Sequence, residues 1–218
     1  MATMTDRDEG LVNVYAAGVM LEGNLIVPRG ATGIVLFAHG TGSSRFSSRN
    51  RYVAEVLREG GLGTLLLDLL TPQEELVDTR TAHLRFDIEL LADRLVGTTD
   101  WLARQQPNLK VGLFGASTGG GAALVAASRV PERVYAVVSR GGRPDLAGAA
   151  LPLVKAPTLL IVGGDDTPVI AMNREAYDRM TCIRKMEIIP DASHLFEEPG
   201  TLEQVARMAR DWFLQYLK

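Results

Sequence analysis

The chain has 218 residues, 46% of them apolar, which is enough for a full-sized core and too apolar for a disordered polypeptide. A net charge of -3, a pI near 5.7 and scattered arginines give no basic stripe to follow a nucleic-acid backbone. No apolar stretch reaches the roughly 18 residues needed to span a bilayer, because Asp68, Arg129 and Asp165 interrupt the best candidates, so no membrane partner is expected. The single cysteine, Cys182, excludes an internal disulfide, and the first ten residues carry no apolar signal core. The expectation is a cytoplasmic protein, with residues 1–10 a flexible tail and 11–218 one domain.

Strand-like and helix-like periods alternate along the chain. Val12 to Ala16 and Leu21 to Val27 read as an opening pair of strands turning at Gly18. Continuous apolar runs at Gly33 to Ala38, Gly63 to Leu67, Val111 to Phe114, Val134 to Val138 and Thr158 to Val162 suit parallel strands buried on both faces, and Lys185 to Ile189 closes the series. Amphipathic stretches at Ser48 to Glu59, Thr81 to Gln105, Thr118 to Ser128, Met172 to Met180 and Thr201 to Leu217 fall between them. This alternation predicts an α/β architecture, a mostly parallel sheet of about eight strands with helices on both faces. The segment between Val138 and Thr158 is too short for a lid domain, so an open or shallow pocket is expected.

The chemistry concentrates in Gly115-Ala116-Ser117-Thr118-Gly119, between an apolar run and a small-residue helix that Pro131 stops. A serine hydroxyl is a poor nucleophile unless a tight turn exposes it to a base and an oxyanion site, and glycines two before and two after permit such a turn. The bland alternative is a serine that merely caps the helix.

The base must reach Ser117 from the rim beyond the carboxyl ends of the strands. Of the three histidines, His83 lies in a polar segment at a helix start and His39 precedes the serine, whereas His194 follows the last strand. His194 is therefore the expected base. An acid to orient its imidazole is expected between serine and histidine in chain order, where Gly163-Gly164-Asp165-Asp166 ends a buried strand. Adjacent side chains leave a turn in different directions, so one carboxylate points at His194, and Asp166 is the choice.

With His39-Gly40-Thr41-Gly42, Gly115-Ala116-Ser117-Thr118-Gly119, Gly163-Gly164-Asp165-Asp166 and Ser193-His194-Leu195-Phe196 in this order, the chain resembles the α/β-hydrolase superfamily, closest to its dienelactone-hydrolase-like branch. The resemblance runs from Ile34 to Leu217, implies that fold without a large lid, and supports Asp166 over Asp165. It also implies an oxyanion hole made by the backbone N–H groups of Thr41 and Thr118, with His39 shaping the loop that presents Thr41. One departure stands out: dienelactone hydrolases proper carry cysteine at the nucleophile position and this chain has Ser117, which leaves acyl transfer intact and loosens the link to a lactone substrate.

The resulting expectation is a serine hydrolase that cleaves small-molecule carboxylic esters, lactones or thioesters through an acyl-enzyme on Ser117. The other class kept open is a catalytically degenerate hydrolase fold serving as a small-molecule binding module. No organic cofactor is expected, because the triple glycine at 119–121 lacks the rest of a phosphate-binding loop; no metal is expected from three scattered histidines and a remote cysteine. Cys182 itself reads as a packed thiol. Arg45, Arg49, Arg51, Arg140 and Arg143 follow strands at the same rim, where one or two would suit an acidic substrate, though surface pairing such as Arg143 with Asp145 is the preferred reading. The oligomeric state is left open.

Overall fold

The computed structural model describes residues 10–218; the expected tail over 1–10 therefore falls, except for Gly10, outside the described residues. The opening pair is β1 (Leu11–Ala16) and β2 (Val19–Ile26), antiparallel and joined by Ala17-Gly18, both at positive φ, the two-residue turn whose twist matches a hairpin. The remaining strands are β3 (Gly33–Ala38), β4 (Gly63–Leu67), β5 (Lys110–Ala116), β6 (Val134–Arg140), β7 (Thr158–Gly163) and β8 (Arg184–Ile189). They form one eight-stranded sheet in the order β1-β2-β4-β3-β5-β6-β7-β8, parallel from β4 onward, with β2 antiparallel to β4.

All residues of β3, β4 and β7 are buried, as their unbroken apolar runs require of strands covered on both faces. Helices α1 (Ser48–Glu59) and α6 (Thr201–Tyr216) cover one face through a core that includes Val53, Leu57, Val205 and Phe213. The other face packs against α3 (Ile88–Gln105), α4 (Thr118–Arg129) and α5 (Thr167–Arg179), with Leu91, Leu95, Ala123 and Ala176 in its core. No helix among the described residues is long and apolar enough to cross a membrane.

Two helical boundaries differ from the sequence expectation. The single helix expected over Thr81 to Gln105 is replaced by α2 (Pro72–Thr81), a 3-10 turn at Leu84–Phe86 and then α3. Thr71 and Glu74 form a reciprocal capping box that starts α2 at Pro72, nine residues earlier than expected. Ala82, left-handed at φ 54°, then ends it, and Asp87 accepts from the Leu90 N–H to start α3 afresh. Likewise α5 begins at Thr167, not Met172, because Pro168 fits a first helical turn, where no N–H is required. The β6 to β7 connection holds a kinked 3-10 segment (Pro144–Leu153) packed on α4 and α5, and no lid is evident among the described residues.

Candidate active site

Ser117 stands between β5 and α4 at φ 51° and ψ -122°, a conformation that costs an L-residue energy and persists only where its surroundings enforce it. Those surroundings are backbone. A Cβ on Gly115 would lie 2.4 Å from the Gly119 carbonyl oxygen, and one on Gly119 would lie 2.3 Å from that of Ala38. The turn is thus wedged against the first turn of α4 on one side and the end of β3 on the other. The Ser117 N–H donates to the Arg140 carbonyl at 3.3 Å, and its own carbonyl accepts from the N–H groups of Gly120 and Arg143, both at 3.0 Å. Ser117 makes no side-chain capping bond to α4, contrary to the bland alternative for a serine at this position.

His194 lies on the loop after β8, 38% exposed at its side chain, with its Nδ1 2.6 Å from Asp166 Oδ2. Asp166 is 13% exposed at its side chain, whereas Asp165 points to solvent and uses its backbone N–H to hold the Ala192 carbonyl at 3.0 Å. Close contact between β7 and this loop depends on Gly163, where a Cβ would meet the carbonyl oxygens of Ala192 at 2.3 Å and Ser193 at 2.5 Å. The loop is further tied by the Ser193 N–H, which donates to Glu198 Oε2 at 3.0 Å and holds that carboxyl below the usual carboxylate range. Phe196, fully buried, anchors it in the core under α6. Glu198 is a residue the sequence reading missed; its only signal is a carboxylate a few residues beyond His194.

Ser117 and His194 line one cavity of about 180 Å³ together with Gly40, Thr41, Asn50 and Arg140. No direct hydrogen bond joins Ser117 to His194 among the described residues, which is common where such contacts tighten only around a substrate. Thr41, which lines this cavity, and Thr118 have their hydroxyls 3.1 Å apart, so the β3 loop and the start of α4 are pinned to each other. As the first residue of α4, Thr118 has a backbone N–H without an intrahelical acceptor, at the positive end of the helix.

His39 takes no part in that cavity. Its Nδ1 lies 3.0 Å from the Gly40 carbonyl and its Nε2 accepts from the Leu69 N–H at 3.2 Å, so one ring clamps the loops after β3 and β4. Burial pushes its pKa down, against the Gly40 carbonyl and the charges of Asp68 and Glu75, which keeps the ring neutral and able to do both. His83 is exposed and bonds Thr81. Cys182 is half-buried with its thiol pushed up by desolvation, as suits a packed side chain.

The rim arginines divide. Arg45 pairs with Asp68 and Glu22, and Arg143 is bidentate to Asp145, which is the surface pairing preferred from the sequence. Arg140 differs: it is the last residue of β6 rather than part of a loop, it is 7% exposed, and it has no carboxylate partner among the described residues.

A model of the dienelactone hydrolase family matches residues 21–217. The chain belongs to the dienelactone hydrolase family. A solved dienelactone hydrolase from Anabaena variabilis is similar over 97% of this chain and 99% of its own, with 66% identity and a TM-score of 0.95. Est1E from Butyrivibrio proteoclasticus (15% identity, TM-score 0.79, 95% of this chain and 98% of its own) shares the fold, as does a lidless α/β serine hydrolase from Xanthomonas campestris (18%, 0.77, 99% and 98%). Two Mycobacterium tuberculosis proteins, each named "Putative phosphoribosyl transferase", are 58% identical over 213 residues. The match takes in 97% of this chain but only 47% of theirs, so the chain spans about half the length of these relatives. A dienelactone hydrolase family member with this sheet has the α/β-hydrolase fold.

Proposed function

We propose that this hydrolase cleaves carboxylic esters, lactones or thioesters through an acyl-enzyme on Ser117, with His194 as base and Asp166 as its orienting acid. The observation that carries the reading is the 2.6 Å contact from His194 Nδ1 to Asp166, beside a strained serine that lines the same cavity as the imidazole. With Nδ1–H donating to the carboxylate, Nε2 is left as the acceptor a general base needs.

In the proposed cycle Ser117 Oγ attacks the carbonyl carbon and its proton passes to His194 Nε2. The N–H groups of Thr41 and Thr118 hold the developing oxyanion, each donor worth about a hundredfold in rate. The imidazolium then protonates the leaving alkoxide or thiolate. Water, deprotonated by the same nitrogen, attacks the acyl-enzyme and releases the acid and free Ser117. The bond between the Thr41 and Thr118 hydroxyls fixes the spacing of the two donors before substrate arrives, so no reorganisation is required as charge develops.

The transferase name belongs to relatives about twice as long as this chain. We take the shared half to be their hydrolase portion, because this chain's family match runs almost end to end.

Hydrolysis of a panel of p-nitrophenyl esters and lactones by the purified protein tests the reading. Ser117→Ala lowers turnover by at least about a thousandfold. Full turnover in that variant would remove the serine mechanism, and absence of turnover on the whole panel by the native protein would favour a binding role.

A further inference from the structure

Two arginines among the described residues are buried, Arg94 and Arg140. Arg94 is matched with Glu74, and the less buried Arg45 and Arg85 likewise pair with acids, Asp68 and Glu22 for one and Asp78 for the other. Arg140 pairs with none among the described residues. Its Nη2 reaches the Asn50 amide oxygen at 3.5 Å, its Nε and Nη1 have no hydrogen-bond partner among the described residues, and its guanidinium lies 5.9 Å from the centre of the Phe196 ring. Burial, and then the charge of Arg49, push its pKa down to about 10, so the guanidinium is still charged at neutral pH. A buried ion without a counter-charge is costly, and such a residue persists where a ligand supplies the missing charge.

The position of Arg140 says where that ligand sits. It ends β6 opposite Ala116 of β5, one residue before the nucleophile, and lines the cavity that Ser117 and His194 share. Arg49 lines it too, its Nε unpartnered and its Nη1 3.3 Å from an exposed Glu197. Two guanidinium groups thus line the cavity, and the one carboxylate bonded to either among the described residues is the solvent-screened Glu197.

We infer that Arg140, supported by Arg49, is an anion-recognition residue, and that the substrates are esters or thioesters carrying an anionic oxygen group, carboxylate or phosphate, close to the scissile carbonyl. This rests on the hydrolase reading above and names its substrate class. An anion in the cavity supplies the absent counter-charge out of bulk water, where a charge-assisted contact is strongest, whereas a neutral substrate leaves the guanidinium unpaired. One such contact corresponds to a preference of about tenfold to a hundredfold in kcat/KM.

The test compares three p-nitrophenyl esters of equal acyl length that end in an amide, a carboxylate or a phosphate. The native protein prefers at least one anionic ester over the amide by about tenfold or more, and the larger preference identifies carboxylate or phosphate as the group. In Arg140→Gln the ratio falls to about one, and Arg140→Lys, which keeps the charge, retains part of it. A ratio near one in the native protein, or an undiminished ratio in Arg140→Gln, overturns the assignment while leaving the hydrolase reading intact. If no ester is turned over, that reading fails instead, and thermal unfolding in inorganic phosphate and in acetate decides the anion site by itself. At least one anion raises the native midpoint more than that of Arg140→Gln; equal shifts in both proteins overturn the proposal.

Discussion

A serine at φ 51° is strained, and here the strain is enforced by carbonyl groups that leave no room for side chains at positions 115 and 119. That pattern was legible because glycine identity reports directly on how closely backbones approach. Adjacency on a turn says only that the Asp165 and Asp166 carboxylates diverge, and the preference for Asp166 comes from the family resemblance; Asp165 is exposed and Asp166 lies 2.6 Å from His194 Nδ1. Asp166→Asn is expected to lower ester turnover by up to about ten-thousandfold through loss of the correct imidazole tautomer, with Asp165→Asn having a far smaller effect. Steady-state kinetics on both variants checks this, and the reverse order would move the orienting role to Asp165. Arg140 was not legible. Nothing in Ser139-Arg140-Gly141 distinguishes an arginine that finishes a buried strand from one on a surface loop, because the strand runs two residues beyond its apolar stretch.

The strands could be read from the sequence because both faces of this sheet are covered, so burial writes itself as unbroken apolar runs. α2 could not be read by periodicity, since it exposes Leu76 and Val77 and buries only Asp78. Its capping box, Thr71-Pro72-Gln73-Glu74, was the available signal. Between elements, the contact that matters most to the site is that of β7 with the His194 loop at Gly163. Gly163→Ala places a methyl group within 2.3 Å of the Ala192 carbonyl oxygen and forces strand and loop apart. A cost of about 1–3 kcal/mol in urea unfolding is expected, together with slower turnover as His194 shifts. Unchanged stability and kinetics would show that the loop is not seated by this contact.

At the scale of the molecule, five chain crossings bring the ends of β3, β5, β6, β7 and β8 to one rim, and this topology is what gathers residues as distant as Thr41 and His194 around one cavity. The mostly parallel sheet of about eight strands follows from the alternating pattern, while side-chain pairing across the rim does not, because it depends on which groups are desolvated. His39 shows the consequence for pH. Its folded pKa lies below the 6.5 of the free group, so the unfolded chain binds the proton more readily. Stability is therefore complete above about pH 6.5 and declines as pH falls from there toward the folded value, with the Leu69 N–H losing its acceptor. Urea unfolding at pH 7 and pH 5 should show this loss, and His39→Gln should lessen it; an equal loss in that variant would assign it to other groups. The central claim concerns Ser117, and its most direct measurement is reaction of the folded protein with a fluorophosphonate, followed by mass spectrometry of the labelled peptide. The account predicts one adduct, on Ser117, formed at a rate that falls sharply in His194→Ala. Labelling at another residue, or none under native conditions, would contradict it.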